Sequence, residues 1–196
     1  QENLVVLTFD DGFSSVYEHA FPILQGYGDP ATIFLVTAYC GKTNSWPGQP
    51  LTVERRPLLG WAEIKEMSRA GISFGSHTVT HPDLRKLPRH AVEEELVASK
   101  KTIEDATGDA VETIAYPYGA CDETIKRLAQ AHFSLGCATT LGFAGPKWDP
   151  FSIERLDMYY LSRPGFFRRL FSPEMAAYIR LREALRRTRG WMQGAL

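Results

Sequence analysis

The sequence has little of several things. Its 196 residues include three cysteines, Cys40, Cys121 and Cys137, with no zinc-ribbon or redox-motif spacing among them. A disulfide-stapled mini-fold is therefore excluded. Three reduced, partly buried thiols are expected, which favours a reducing compartment. No apolar run approaches the roughly 18 residues that a membrane span needs. Net charge is almost absent, −1 from 22 basic and 23 acidic side chains, and this argues against a general nucleic-acid binder. Repeats and low-complexity segments are lacking too. An apolar fraction of 44% and a charged fraction of 23% exclude disorder and suit a globular chain with a sizeable core. Neither an initiator Met nor a secretory signal precedes the apolar run from Leu4 to Leu7, so a processed or trimmed chain is expected. A cytoplasmic or membrane-peripheral location is expected, with the cell envelope as the alternative.

The near-zero charge averages two unlike segments. Residues 1–162 carry 14 basic and 21 acidic side chains, a net of −7. Residues 163–196 carry eight arginines against Glu174 and Glu183, a net of +6. This predicts an acidic body over 1–162 and a basic amphipathic extension over 163–196.

Within the first segment, short apolar runs alternate with helical patterns. Leu4–Phe9, Ala31–Val36, Ile72–Phe74, Thr113–Tyr116, Ser134–Thr139 and Ile153–Met158 read as strands, the first fully buried. Between them lie four helical patterns. Ser14 or Ser15 caps one with Val16, Ala20, Ile23 and Leu24 on its inner face. Trp61–Ala70 ends at Gly71. A helix opened by Pro88 carries Val92, Leu96, Ser99 and Ile103 on one stripe and stops at Gly108. Asp122 caps the fourth, with Ile125, Leu128 and Ala129 inward. Strands separated by helices imply βα units, a mostly parallel sheet and an α/β fold.

In such folds chemistry gathers at the C-terminal ends of strands. Four polar clusters fall there: Asp10-Asp11, His77 with His81, Tyr116-Pro117-Tyr118, and Arg155 with Asp157. Two adjacent carboxylates leaving a buried strand are costly unless paired or bound to metal, although Asp-Asp-Gly is also an ordinary solvated turn. His77 and His81, four residues apart, can face one metal if the turn between them is helical, or stand as two surface histidines. Two histidines and one carboxylate leave coordination positions open, as catalytic sites require. His19, His90 and His132 sit inside helical patterns and read as solvated or half-buried.

Taken together, Thr8-Phe9-Asp10-Asp11-Gly12, Ser76-His77-Thr78-Val79-Thr80-His81-Pro82 and Ala115-Tyr116-Pro117-Tyr118-Gly119 resemble the motifs of NodB-type polysaccharide deacetylases, carbohydrate esterase family 4. Order and spacing agree over about residues 3–160. The resemblance implies an irregular (β/α)7-type barrel, here with an extra basic C-terminal helix. It implies metal-dependent hydrolysis of the N-acetyl group of an N-acetylhexosamine in a polysaccharide, an oligosaccharide or a lipid-linked sugar. The alternatives are a deformylase, another acyl-sugar hydrolase on the same scaffold, or a catalytically dead carbohydrate-binding domain. By the same resemblance Asp11, His77 and His81 hold one divalent metal ion, zinc first, with Co2+, Mn2+ or Ni2+ as alternatives. Asp10 is the general base, and the backbone N–H of Tyr118 is an oxyanion donor.

Two features depart from the family pattern. Ala115 stands where members commonly carry the Arg that orients the catalytic aspartate, so Arg155 is expected to replace it, or else to pair with Asp157. The usual late Leu-x-His, whose His protonates the leaving amine, has no counterpart after His132, and the protonating group is left unassigned. Tyr39, Trp46, Trp61, Tyr116, Tyr118 and Trp148 include aromatics that could stack on sugar rings. The Gly41-to-Pro57 loop is long enough to wall a cleft.

In the extension, Ser172 and Pro173 start a helix through Met175, Tyr178, Ile179, Leu181 and Leu185, interleaved with arginines at 180, 182, 186, 187 and 189 and followed by Trp191 and Met192. This pattern fits peripheral contact with an anionic membrane, or a helix packed on the acidic body.

Overall fold

The computed structural model describes residues 4–50, 52–145, 148–163 and 165–193. The side chains of Arg187, Arg189, Trp191 and Met192 lie outside the described residues. Six parallel strands run in sequence order across one sheet: β1 (Leu7–Phe9), β2 (Ala31–Leu35), β3 (Ser73–Ser76), β4 (Thr113–Ala115), β5 (Leu135–Leu141) and β6 (Ile153–Arg155). The resemblance implies about seven strands; six are present among the described residues. Strand order 1-2-3-4-5-6 means that every crossover steps to the adjacent position, the winding that curls a sheet toward a barrel. Registers such as Phe9↔Ile33, Leu35↔Ser76 and Ala115↔Cys137 bring the C-terminal ends of the strands to one rim.

Helices α1 (Phe21–Tyr27), α2 (Trp61–Arg69), α3 (Arg89–Thr107) and α4 (Glu123–Gln130) fill the crossovers. The apolar stripe of α3 is buried where its period predicts: Val92, Leu96, Ser99 and Ile103 all face the core. Gly108 ends α3 at φ +81°, a left-handed value that glycine adopts at no steric cost. Asp122 caps α4 by accepting the Thr124 and Ile125 N–H groups at 2.8 and 2.9 Å. Ile33, Leu35, Ile64, Met67, Leu96 and Ile114 form the centre of the main core.

Two expectations about the first βα unit are overturned. Strand β1 begins at Leu7, not Leu4, and Leu4 and Val6 are 85% and 78% exposed. The reason is position: among the described residues β1 pairs only with β2 and forms one edge of the sheet, and its approach is left exposed. Neither Ser14 nor Ser15 caps a helix. Ser14 is buried with its N–H bonded to the Pro57 carbonyl, and the chain continues through a wide π-helical turn over Val16–Ala20. That turn rotates the register, so Ile23 is exposed while Val16 and Leu24 stay inside.

The C-terminal helix α5 (Pro173–Gln193) starts as expected, with the Ser172 hydroxyl accepting the Met175 N–H at 3.2 Å. Met175 and Ile179 pack with Leu141, Leu161 and Leu170 in a second apolar cluster. Glu183 accepts the Leu141 N–H at 3.1 Å, which ties the helix to the end of β5. The three cysteines are free thiols, and burial pushes that of Cys40 up to about 12.

Candidate active site

The four polar clusters meet on the rim. Asp10 and Asp11 leave β1, His77 follows β3, Tyr116–Tyr118 follow β4 and Arg155 ends β6. Asp11 turns sharply at φ +67°, aided by Gly12 at φ +73°, so the two carboxylates diverge. One oxygen of Asp11 lies 3.4 Å from His77 Nε2 and 3.5 Å from His81 Nε2. Both imidazoles are buried, and the three ligand atoms lie within 4.8 Å of one another.

The donor set fits a divalent cation. His77 Nδ1–H donates to the Ala115 carbonyl at 2.6 Å, a bond that fixes the ring and turns the Nε2 lone pair toward Asp11. Burial alone would disfavour charge on His77, but in the protonated ring Nε2–H donates to Asp11, and this bond together with the charges of Asp10 and Asp11 raises its pKa above the ordinary value. His81 moves the other way, to about 4, through burial and the neighbouring His77. Trp46 and Tyr118 flank His81, with ring centroids at 4.4 and 4.6 Å.

The turn from His77 to His81 is not helical. Thr78 and His81 adopt φ of +68° and +60°, and such conformations cost about 1–3 kcal/mol each in residues other than glycine. A compensating network surrounds them. The Thr78 and Val79 carbonyls accept from the Thr37 and Ala38 N–H groups. The His77 N–H donates to the Leu35 carbonyl, that of Thr78 to Ser76 Oγ and that of His81 to Thr78 Oγ1. Those of Val79 and Thr80 both donate to Glu95 on α3, at 2.6 and 2.9 Å.

Arg155 makes a two-pronged pair with Asp10: Nη1 to Oδ1 and Nη2 to Oδ2, both 2.7 Å. Its other donors reach the Ala138 carbonyl and Thr8 Oγ1. Asp157 is used elsewhere, accepting the Tyr159 N–H. Burial alone would raise the Asp10 pKa. The hydrogen bonds from Arg155 and the charges of His77, Arg155 and His81 outweigh it and hold the carboxyl below its usual range.

Tyr118 also takes a left-handed conformation, φ +60°, between Pro117 and Gly119. Gly119 has no room for a Cβ, which would strike Thr139. The aromatic candidates divide. Trp46 and Tyr116 are buried and are packing residues, Tyr116 seated against Gly136. Trp61 packs on the core. Tyr118 and Trp148 stay about half exposed. The loop carrying Trp46 reaches the metal-site face through the contact of Trp46 with His81. A cavity of about 710 Å³ opens beside Asp10, bordered by His19, Arg155, Asp157 and, from α5, Arg186.

Sequence reasoning missed Glu95. The nearest signal was its helix: Ser99, a polar residue on the apolar stripe, meets Ser76 Oγ at 2.7 Å just before His77.

With this geometry in place, similarity to known proteins becomes specific. The family profile described as Polysaccharide deacetylase matches residues 1–134. The chain belongs to the polysaccharide deacetylase family. A poly-beta-1,6-N-acetyl-D-glucosamine N-deacetylase of Staphylococcus aureus is 27% identical over 162 residues, covering 78% of this chain and 53% of the relative. Among solved structures, the Streptococcus pyogenes deacetylase PplD, in complex with acetate, shares 30% identity with a TM-score of 0.69, over 80% of this chain and 65% of that one. IcaB from Ammonifex degensii shares 26% identity with a TM-score of 0.70, over 91% of this chain and 74% of that one. The chain spans about half the length of the curated relatives it matches. The curled parallel sheet is thus that of a polysaccharide deacetylase, and the Asp11, His77 and His81 group is this member's candidate metal site.

Proposed function

We propose that this polysaccharide deacetylase removes the acetyl group from N-acetylhexosamine residues of a glycan, with zinc held by Asp11, His77 and His81. The observation that carries the reading is the pairing of two sites on one rim: two buried imidazoles with a partly exposed carboxylate, and beside them a second carboxylate held ionised by arginine. Similarity to the S. aureus N-deacetylase supports N-acetylglucosamine as the sugar. Cobalt, manganese and nickel also suit this donor set.

A bound divalent ion supplies Lewis acidity toward water and the acetyl carbonyl. The protein's residues do the rest. Asp10 accepts a proton from the attacking water. Arg155 keeps Asp10 ionised and aims both of its oxygens. The Tyr118 N–H, set by the left-handed turn, donates to the developing oxyanion. The cavity beside Asp10 gives room for a neighbouring sugar.

Acetate release from β-1,6-linked N-acetylglucosamine oligomers and from chitooligomers tests the reading. Release that stops on chelation and returns with zinc supports it. Formate release from an N-formyl sugar, with no acetate released from any N-acetyl substrate, would replace it with a deformylase.

Arg155→Ala gives a finer check. Without the guanidinium, the strongest influence opposing burial at Asp10 is lost and its pKa rises. Since Asp10 must be ionised to act as a base, the acid limb of the pH dependence of kcat/KM moves to higher pH. Turnover at neutral pH is expected to fall about 10- to 100-fold, part of the usual general-base contribution. An unmoved acid limb would remove Arg155 from this role.

We also propose that α5 rests on anionic lipid. The helix carries exposed Leu181 and Leu185 with Arg180, and the segment before it carries exposed Phe167, Arg168, Arg169 and Phe171. Apolar side chains flanked by arginines suit an interfacial helix. Flotation with vesicles containing phosphatidylglycerol, but not with phosphatidylcholine alone, is expected. Absence of binding at low salt would sink this proposal.

A further inference from the structure

In the segment from His77 to His81, the His77 N–H closes the β2–β3 ladder on the Leu35 carbonyl, and beyond it neither helical hydrogen bonding nor a β-ladder holds the chain. Each of its five backbone N–H groups nevertheless has a named acceptor. Three of those acceptors, Leu35, Ser76 and Thr78, lie within the strands or the turn itself. The other two N–H groups share one oxygen of Glu95, whose second oxygen takes the Thr80 hydroxyl at 2.6 Å. Glu95 stands on α3, one position before fully buried Leu96, so the core fixes its backbone.

We propose that Glu95 is a positioning residue for the metal site: a carboxylate on a rigid helix that templates the turn and so sets the placement of His81 relative to His77 and Asp11. The inference rests on the metal reading above. Its physical basis is the conformation of Thr78, a β-branched residue fully buried at φ +68°, where such residues are rare. A turn of that kind relaxes unless its surroundings over-determine it. A helical turn would place two histidines four apart on one face without help. This segment achieves convergence through a side chain sixteen positions away from Val79. Outer contacts that orient ligands commonly govern metal affinity by 10- to 100-fold.

The chemistry predicts how substitutions divide. In Glu95→Gln, the amide carbonyl can still accept both backbone N–H groups, and its NH2 can donate to the Thr80 hydroxyl. Glu95→Ala leaves both N–H groups without that acceptor.

Zinc titration of this chain by calorimetry tests the proposal, with amide exchange of the metal-free protein as a second readout. Glu95→Ala is expected to bind zinc about 10- to 100-fold more weakly. Glu95→Gln is expected to stay within about threefold of the parent, because the shared acceptor survives. In metal-free Glu95→Ala, the Val79 and Thr80 amides are expected to exchange at least about tenfold faster, a local opening that no metal is needed to reveal. If Glu95→Ala fails to fold, Thr80→Val removes a single bond to Glu95 and is expected to weaken zinc about two- to tenfold. Parent-like zinc affinity in Glu95→Ala, or in Thr80→Val where that variant stands in for it, would overturn the role of Glu95 and leave the metal reading intact. A parent protein that binds no zinc would overturn both.

Discussion

Asp10→Asn is expected to lower kcat for acetate release by about 10²- to 10⁴-fold, the usual contribution of a positioned general base. Zinc affinity should change little, because Asp10 is directed to Arg155 and not to the ligand cluster. The substitution keeps the shape of the side chain and removes its charge. An asparagine has one acceptor oxygen where the carboxylate has two, so one prong of the Arg155 fork meets an NH2 group. The guanidinium then loses its counter-charge in a largely buried setting, and a lowered Tm should accompany the lost turnover. Loss of kcat with metal content preserved separates a base from a ligand. A variant that retained more than about a tenth of parental turnover would contradict the general-base role.

The second large effect is expected at Asp11. Asp11→Ala removes the only carboxylate, among the described residues, that pairs with both imidazoles. Zinc binding should fall below detection at micromolar concentrations, and acetate release should fall to the chelated background. The site also carries a pH signature. The His77 pKa is raised in the metal-free protein, so a proton competes with the metal for that ring. Zinc affinity should therefore weaken as pH falls through the raised His77 value. Zinc affinity that stayed level across that range would contradict the ligand assignment. Metal also stabilises the folded chain by mass action, about 4 kcal/mol at a thousandfold excess over Kd. Chelation should lower the Tm of the parent and leave that of Asp11→Ala unmoved.

How much of this was legible beforehand depended on the range of the interaction. The α3 stripe could be read at every position, because burial on a helix follows a fixed period and Val92, Leu96, Ser99 and Ile103 obey it. The Asp122 cap was readable for the same local reason. The edge position of β1 was not, since it depends on what lies beside the strand and not on the strand's own residues. The π-helical turn that rotates Ile23 outward left no mark in the hydrophobic pattern. At the site, the motifs supplied the residue types, while the backbone joining them differed from the helical turn that four-residue spacing suggests. That turn is decided by Glu95, which no local pattern connects to the histidines. The pairing of Arg155 with Asp10 lies between these cases. The resemblance implied an arginine beside the aspartate, and the parallel sheet order put the end of β6 within reach.

That last contact joins residues 145 positions apart, on the first and last strands of the sheet. Closing a loop of that length early in folding is entropically costly, so such contacts form late. Asp10 acquires its counter-ion only once every intervening βα unit has taken its place. A partly folded chain, however rich in helix, has an unsecured Asp10. During refolding, recovery of turnover should therefore lag recovery of helical circular dichroism. The enzyme's own chemistry thus serves as a readout of whether the sheet has come full circle.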